Sequence, residues 1–326
     1  MPQPERKLIN SVRRVSQIGH NRSVIKGIGD DTAVLRIDPK HEFLITTDLC
    51  VEGFHFRREW HPANCVGHRC LTRGLSDIAA MGGDPIACFL SLGIPENLSQ
   101  RWVSQFVKGL TKLAWRFGME LAGGDTSGAP AITADIVVTG QIARGKAILR
   151  SGAKPGDRIF VTGELGGSAA TLQRLFSGEN IRSSKKSRHF YPEPRIALGQ
   201  WLLRKGLATA MIDLSDGLSV DLNHICDESG VSAVVHAMEI PTAPNATLAL
   251  ALHGGEDYEL LFTADARARV PKAIADVRVT EIGTIHWRSD YGPQMQILGQ
   301  NGALKSLKPH GWQHFSGSRQ ALKSEK

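Results

Sequence analysis

The chain has 326 residues, of which 41% are apolar and 22% are charged, and its formal net charge is +7 at pH 7. This length exceeds the usual size of a single domain, so we expect two domains, each with its own core. The composition is that of a folded globular protein and excludes a disordered chain. No run of about 18 apolar residues is present, so we expect neither a membrane-spanning helix nor a membrane partner.

The basic excess would suit nucleic acid, an anionic surface or phosphorylated small molecules. Aromatic residues make up only 6% of the chain, and no nucleic-acid-binding motif is present, so we expect no nucleic acid partner. The five cysteines are an odd number without CxxC spacing, which favours a reducing compartment. The N-terminus has no secretory apolar region, and we therefore expect a cytoplasmic protein.

In chain order, apolar periodicity and glycine or proline breaks predict the elements of the first half. They are a helix over Glu5–Gln17, strands over Thr32–Ile37 and Phe43–Val51, a helix over Asn64–Ala80, a strand ending at Ile94, a helix over Ser99–Phe117, and strands over Met119–Ala122 and Ile132–Ile142. Gly123-Gly124-Asp125-Thr126 is predicted to form a turn between the last two strands.

The second half continues the alternation of strands and helices. The predicted elements are a strand over Arg158–Thr162, a helix over Ser168–Phe176, a polar loop over Ser177–Pro194, a helix over Arg195–Lys205, a strand over Ala208–Asp213 and a helix over Asp216–Glu228. Arg, Lys and Gly residues interrupt the apolar pattern between the halves, so we expect domains over 1–148 and 149–326. The alternation predicts an α/β (α+β) fold in both.

Carboxylates fall repeatedly at strand ends, helix ends and glycine turns, where binding groups concentrate. They are Asp30, Asp31, Asp48, Asp77, Asp125, Asp213, Asp216, Glu256 and Asp257. Brought together, these groups would repel one another unless cations lay between them. Oxygen ligands favour hard divalent cations, and Mg²⁺ bound with substrate phosphates is the usual case.

Several of these acids also have a structural explanation. Asp30, Asp31 and Asp125 could shape turns, and Asp213 and Ser215 could be N-caps of the helix that follows. Asp77 is different, because it lies in the last turn of its predicted helix, where a negative charge opposes the helix dipole. A cation beside Asp77 would remove that penalty.

Read together, the motifs resemble the thiamine-monophosphate kinase family of the PurM-like, AIR-synthase-related superfamily. The matching segments are Gly27–Asp31, Thr46–Asp48, Val51–Phe56, Leu75–Gly82, Gly123–Thr126, Arg150–Asp157, Ile212–Leu218, Gly254–Leu260 and Gly311–Phe315. The resemblance runs essentially end to end. The family pattern has Asn where this chain has Gly74, and Ala where it has Gly83.

The resemblance implies a PurM-like fold and a homodimer whose N-terminal sheets pair across the interface. It implies transfer of the ATP γ-phosphate to thiamine monophosphate with several Mg²⁺ ions, and it leaves a K⁺ requirement open. The implied metal ligands are Asp30, Asp31, Thr46, Thr47, Asp48, Asp77, Asp125, Asp213 and Asp216. The implied ATP contacts are Gly124, Arg150 and Ser215. The implied thiamine phosphate contacts are His55, Glu256 and Trp312. Asp213, Asp216 and Arg150 are the residues expected to carry catalysis.

Three other functions remain open. Another PurM-like ATP-dependent enzyme would share the fold, although no cysteine precedes Cys50, which disfavours selenophosphate synthesis. A metal-dependent phosphatase would also use clustered carboxylates. A non-catalytic protein that binds thiamine phosphate or nucleotide would bind the same ligands without forming product.

Overall fold

Two large β-sheets, one in each half of the chain, organise the protein. The structure is a computed structural model that describes residues 21–26, 34–36, 38–288 and 292–311, together with Val12, Arg14 and Val15. Helices accompany both sheets, so the α/β class predicted from the sequence is confirmed. The domain boundary at residue 148 stays a prediction. Within the described ranges, no helix has the length and apolar character needed to cross a membrane.

The first half contains six strands and two long helices among its described residues. They are β1 (Val24–Lys26), β2 (Val34–Leu35), β3 (His41–Val51), α1 (Ala63–Met81), β4 (Asp84–Ile94), α2 (Gln100–Arg116), β5 (Glu120–Gly128) and β6 (Thr133–Ala143). The first sheet has the strand order β3-β6-β4-β5, and only its β4–β5 pair is parallel. The predicted helix over Glu5–Gln17 lies mostly outside the described residues.

The second half forms an eight-stranded sheet. Its elements are β7 (Arg158–Thr162), α3 (Gly167–Phe176), α4 (Ile196–Lys205), β8 (Ala210–Asp213), α5 (Leu218–Ser229), β9 (Val231–His236), α6 (Leu248–His253), β10 (Leu260–Ala264), β11 (Ala273–Ile274), β12 (Val277–Trp287), β13 (Met295–Leu298) and β14 (Leu304–Ser306). The strand order is β14-β13-β9-β12-β7-β10-β8, with β11 beside β12. Residues 177–194 contain neither helix nor strand, as predicted.

Helix α1 connects the two halves. Its apolar stripe, which includes Val66, Leu71 and Leu75, is fully buried, and Gly82 ends the helix in the left-handed conformation with φ of 76°. Helix α4 crosses α1 so closely that a Cβ on Gly199 would overlap the carbonyl oxygen of Ala79. Helix α1 also packs against β3 and β6 of the first sheet and against β8 of the second. Its side chains therefore lie at the junction between the two sheets.

The predicted turn over Gly123–Thr126 is wrong, because these residues lie inside β5 and pair with β4. Gly124 has φ of 152°, and a Cβ there would overlap the carbonyl oxygen of Leu90. Glycine therefore allows the two strands to approach, rather than breaking the strand as its turn propensity suggested.

A similarly close contact explains the glycine at position 74. A Cβ on Gly74 would lie 2.6 Å from Cγ2 of Val138 on β6. Helix α1 thus sits on the sheet at a distance that leaves almost no room for a larger residue at this point.

Candidate active site

A cavity of about 330 Å³ lies where the two halves meet. The first half contributes Asp48 from β3, Phe54 and His55 from the following loop, and Arg73 and Asp77 from α1; the second half contributes Ser168, Ala169, Leu172, Asp213, Ser215, Asp216, Gly255, Glu256 and Tyr258. Seven of the residues proposed from the sequence line this cavity: His55, Asp48, Asp77, Asp213, Ser215, Asp216 and Glu256. Carboxylates that are far apart in sequence are therefore neighbours in space.

The acidic end of the cavity is formed by Asp48, Asp77 and Asp213. Burial, followed by repulsion from Asp48, raises the pKa of Asp77 to about 6. Burial, followed by repulsion from Asp77, raises the pKa of Asp213 to about 8. The hydroxyl of Thr46 donates to Oδ2 of Asp77 at 2.5 Å. Burial and mutual repulsion both disfavour the charged forms of Asp77 and Asp213, so a bound cation would stabilise them.

The loop between β8 and α5 carries Ser215 and Asp216. The predicted N-caps Asp213 and Ser215 are wrong, since α5 begins at Leu218 after Gly217 and has no side-chain cap. Instead, the Asp221 carboxylate accepts from the backbone N–H of Asp216 at 3.2 Å and of Gly217 at 3.0 Å. Asp221 was missed in the sequence, where only its place in the first helical turn distinguishes it.

The opposite end of the cavity is built around Glu256. Arg69 Nη2 lies 2.6 Å from Glu256 Oε2, and Arg73 Nη1 lies 3.6 Å from Oε1. Burial alone would raise the pKa of Glu256, but the two arginines outweigh it and hold that pKa at about 2. Glu256 is therefore a fixed negative charge at the cavity wall.

A hydrogen-bonded chain of buried side chains lies behind Ser168. Its hydroxyl oxygen is 3.0 Å from Nδ1 of His189, whose Nε2 is 3.1 Å from Nε2 of His61. Burial lowers the pKa of His61 to about 4 and that of His189 well below its usual value, so both rings are neutral. This chain was not predicted from the sequence, because His61 is 128 residues from His189 and the three residues match no motif.

The glycine-rich turn before α3 does not leave an open phosphate site. Asp257 accepts from the backbone N–H of Gly166 at 2.8 Å and of Ser168 at 3.5 Å. A carboxylate of the protein thus occupies the N-terminus of α3.

Five proposed residues do not line the cavity: Thr46, Thr47, Gly124, Asp125 and Arg150. Thr47 lies on the outer face of the first sheet, where its hydroxyl donates to Asp135 at 2.7 Å. Asp125 also faces outward, on the edge strand opposite β3, roughly 14 Å away by three strand spacings. Arg150 is exposed. Its positive charge lowers the pKa values of Asp77 and Asp213, which indicates that Arg150 lies near these two carboxylates. Asp30, Asp31 and Trp312 lie outside the described residues.

The donor set of the acidic end fits Mg²⁺. Among the residues that the structure describes, no three Asp, Glu, His or Cys side chains are arranged to hold one metal ion. Mg²⁺ does not need such a group, because it keeps several waters and binds through one or two carboxylates plus substrate phosphates. The buried and mutually repelling Asp77 and Asp213 supply carboxylates of this kind.

The chain is similar to known proteins along most of its length. Residues 29–142 match the family described as AIR synthase related protein, N-terminal domain, and residues 154–293 match the corresponding C-terminal domain. The thiamine-monophosphate kinase of Salmonella typhimurium is 40% identical over 79% of this chain and 81% of its own length.

Two solved structures share the fold along most of the chain. The thiamine-monophosphate kinase of Stenotrophomonas maltophilia superposes with a TM-score of 0.78 at 33% identity, covering 91% of this chain and 97% of the other. AaThiL complexed with AMPPCP and TMP superposes with a TM-score of 0.75 at 30% identity, covering 95% and 97%. The chain belongs to the thiamine-monophosphate kinase family.

Proposed function

We propose that this chain transfers the γ-phosphate of ATP to thiamine monophosphate, forming thiamine diphosphate and ADP. The observation that carries the proposal is the convergence of Asp48, Asp77, Asp213 and Asp216, from both halves, on one cavity. A relative that shares the fold end to end binds AMPPCP, an ATP analogue, together with TMP. An ATP analogue and TMP correspond to the two substrates that the proposed reaction needs.

The reaction requires positioning more than proton transfer. A phosphate nucleophile is already ionised at neutral pH, so no strong general base is needed, and none of the cavity residues has to become covalently modified. The difficulty is to bring two polyanions together in line, and fixed charges address it. We therefore propose direct transfer from ATP to the acceptor phosphate.

Asp48, Asp77, Asp213 and Asp216 would hold Mg²⁺ together with the substrate phosphates, with Thr46 orienting Asp77. When bound, Mg²⁺ neutralises phosphate charge and draws the two phosphates together. The resemblance adds Asp30, Asp31, Thr46, Thr47 and Asp125 to this set, and leaves a K⁺ requirement open. Support for the central four is their shared cavity and the raised pKa values of Asp77 and Asp213.

ATP would lie at the acidic end, near Ser215 and Arg150, with Gly124 contributing by resemblance. Thiamine monophosphate would place its rings toward His55 and Glu256, joined by Trp312. The thiazolium ring is cationic, and the ionised Glu256 offers it a negative partner. His55 is oriented because its Nδ1 accepts the backbone N–H of Val51 at 3.0 Å.

We also propose a cytoplasmic homodimer. The outer face of the first sheet exposes apolar side chains on alternate residues of β3, including Ile45 at 67% and Leu49 at 53%. Exposed apolar patches of this kind are typical of protein interfaces. A reducing compartment agrees with five cysteines that are all free and buried.

The test is product analysis after incubation with ATP, Mg²⁺ and thiamine monophosphate, with wild type beside Asp216→Asn. Asp276→Asn is the matched control, because it makes the same chemical change at an exposed turn away from the cavity. We expect thiamine diphosphate and ADP in equal amounts from wild type and control, and a loss of about a hundredfold or more in the variant. Free phosphate without thiamine diphosphate would instead identify a phosphatase, and binding without any product would identify a non-catalytic protein.

A further inference from the structure

Arg73 is a charged cavity residue to which none of the roles above has been assigned. It lies on α1 one turn before Asp77, so both side chains extend from the same face of the helix. Its Nε is 3.4 Å from Oδ1 of Asp48, and its Nη1 is 3.2 Å from the hydroxyl of Tyr258. The guanidinium therefore lies between the acidic end of the cavity and the Glu256 end.

The neighbouring Arg69 shows what a purely structural arginine looks like here. Its side chain is only 5% exposed, and it donates to the carbonyl oxygen of His189 and to Glu256. Arg73 is 18% exposed and lines the cavity. Arg69 is thus engaged by protein groups, whereas Arg73 also faces the space that a ligand would fill.

The hydrogen bonds of Arg73 are incomplete. Among the described residues, its buried Nε finds no hydrogen bond of good geometry, although Oδ1 of Asp48 is 3.4 Å away, and its Nη1 donates to the hydroxyl of Tyr258. A guanidinium has five N–H donors in a planar fork that matches two oxygens of a phosphate. Buried donors without partners are costly, so a phosphate that accepted from this fork would be favoured.

We propose that Arg73 binds the phosphate of thiamine monophosphate and thereby distinguishes it from unphosphorylated thiamine. This inference rests on the proposed function, which supplies the acceptor substrate. The position of Arg73 selects the acceptor phosphate rather than the ATP phosphates. The same guanidinium contacts Glu256 and Tyr258 at the end assigned to the thiamine rings, and Asp48 at the end assigned to the transferred phosphate. Only the acceptor phosphate lies between these two ends.

A guanidinium here would complement the divalent cations. Carboxylates of the acidic end would bind metal and the metal would bind phosphate, and Arg73 would add a direct contact between the protein and the acceptor phosphate. Arg73 is a permanent charge, since arginine stays protonated at any pH at which the protein folds. It would hold the acceptor phosphate in place before ATP arrives.

The test measures binding of thiamine monophosphate and of thiamine by calorimetry, without ATP and with Mg²⁺ present. Wild type, Arg73→Gln and Arg73→Lys are compared with Arg158→Gln, which removes an arginine paired with Glu281 outside the cavity. We expect Arg73→Gln to weaken thiamine monophosphate binding by roughly ten- to a hundredfold while thiamine binding stays within about twofold. Arg73→Lys should recover part of the loss, and Arg158→Gln should match wild type.

Equal losses for both ligands in Arg73→Gln would overturn the inference, because they would mean that Arg73 only holds Asp48 and Glu256 in place. Unchanged affinities would overturn it as well.

If Arg73→Gln does not fold, as judged by circular dichroism, the lysine variant decides. If Arg73→Lys loses affinity for thiamine monophosphate at least several-fold and keeps its affinity for thiamine, the proposed contact between the guanidinium and the phosphate is supported. Unaltered affinity for thiamine monophosphate contradicts it. Wild type that binds both ligands as expected but forms no thiamine diphosphate would overturn the proposed function alone. Absence of any thiamine monophosphate binding would overturn both.

Discussion

Replacing Asp213 with Asn should stabilise the protein without metal while abolishing its activity. Asp213 is 3% exposed, and its pKa of about 8 compares with an ordinary value of 3.8. The folded protein therefore binds more protons at this group than the unfolded chain between these pH values. The stability that the protonated Asp213 contributes is fully present below pH 3.8 and is lost as the pH rises through 8.

The size of the effect follows from the pKa difference. At ~1.4 kcal/mol per unit, raising the pKa from 3.8 to about 8 corresponds to about 6 kcal/mol of unfolding free energy lost well above pH 8, of which ~5 kcal/mol is lost by pH 8. An asparagine carries no charge, but its amide costs ~1–3 kcal/mol if it finds no partner in the same place. We expect Asp213→Asn to be more stable than wild type by ~2–4 kcal/mol at pH 8 in EDTA.

The assay is urea unfolding of both proteins between pH 4 and 8, with EDTA and then with Mg²⁺. The difference in the free energy of unfolding between variant and wild type reports on Asp213 alone, because the buried histidines are common to both proteins. It should be smallest at pH 4 and grow with pH, and Mg²⁺ should stabilise wild type more than the variant. A variant no more stable than wild type at pH 8 would refute the electrostatic reasoning, as would a difference that does not change with pH. Asp276→Asn should show neither effect.

Three further predictions concern the framework around the site. Arg195→Ala should lower the free energy of unfolding by ~3–5 kcal/mol in urea titrations, because it leaves Glu259, which is 4% exposed, charged and unpaired; a change below ~1 kcal/mol would contradict this. Gly67→Ala should cost ~1–3 kcal/mol or more by the same measurement, because its Cβ would overlap the carbonyl oxygen of Phe106 on α2; an unchanged midpoint would contradict that contact. Ile45→Asp should convert a dimer into a monomer in sedimentation experiments, because Ile45 is 67% exposed on the outer face of the first sheet; a variant that remains dimeric would place the interface elsewhere.

The long periodic elements were predictable from the sequence. Helix α1 was predicted over Asn64–Ala80 and spans Ala63–Met81, because its apolar stripe and its terminal glycines act locally. The turn over Gly123–Thr126 failed for the opposite reason. Its glycines serve a close approach to β4, which is a contact with a distant part of the chain that no local rule contains.

The candidate site was predictable in its acids but not in its arginines. Asp77, Asp213 and Asp216 stand at element ends, where sequence reading expects binding groups, and all three line the cavity. Arg73 and Glu256 are 183 residues apart, so nothing in the spacing reveals that they meet. Only the packing of α1 against the second half brings them together.

Adjacent residues of a strand place their side chains on opposite faces of the sheet. Thr46 and Thr47 were assigned the same role, yet Thr46 contacts Asp77 on the inner face while Thr47 contacts Asp135 on the outer face. The alternation of side chains along β3 requires this separation. Once Phe43–Val51 was predicted as a strand, the two threonines could have been assigned to different faces from the sequence itself.

The central claim is direct transfer from ATP to thiamine monophosphate, and a single-turnover experiment with ATP labelled at its γ-phosphate tests it most directly. Enzyme in excess over labelled ATP is mixed with Mg²⁺ and thiamine monophosphate, quenched at successive times and separated into protein, nucleotide, thiamine and free phosphate fractions. We predict that the label passes from ATP to the terminal phosphate of thiamine diphosphate, with none on the protein at any time. Label that accumulates on the protein, or that is released as free phosphate while thiamine diphosphate stays unlabelled, would contradict the account.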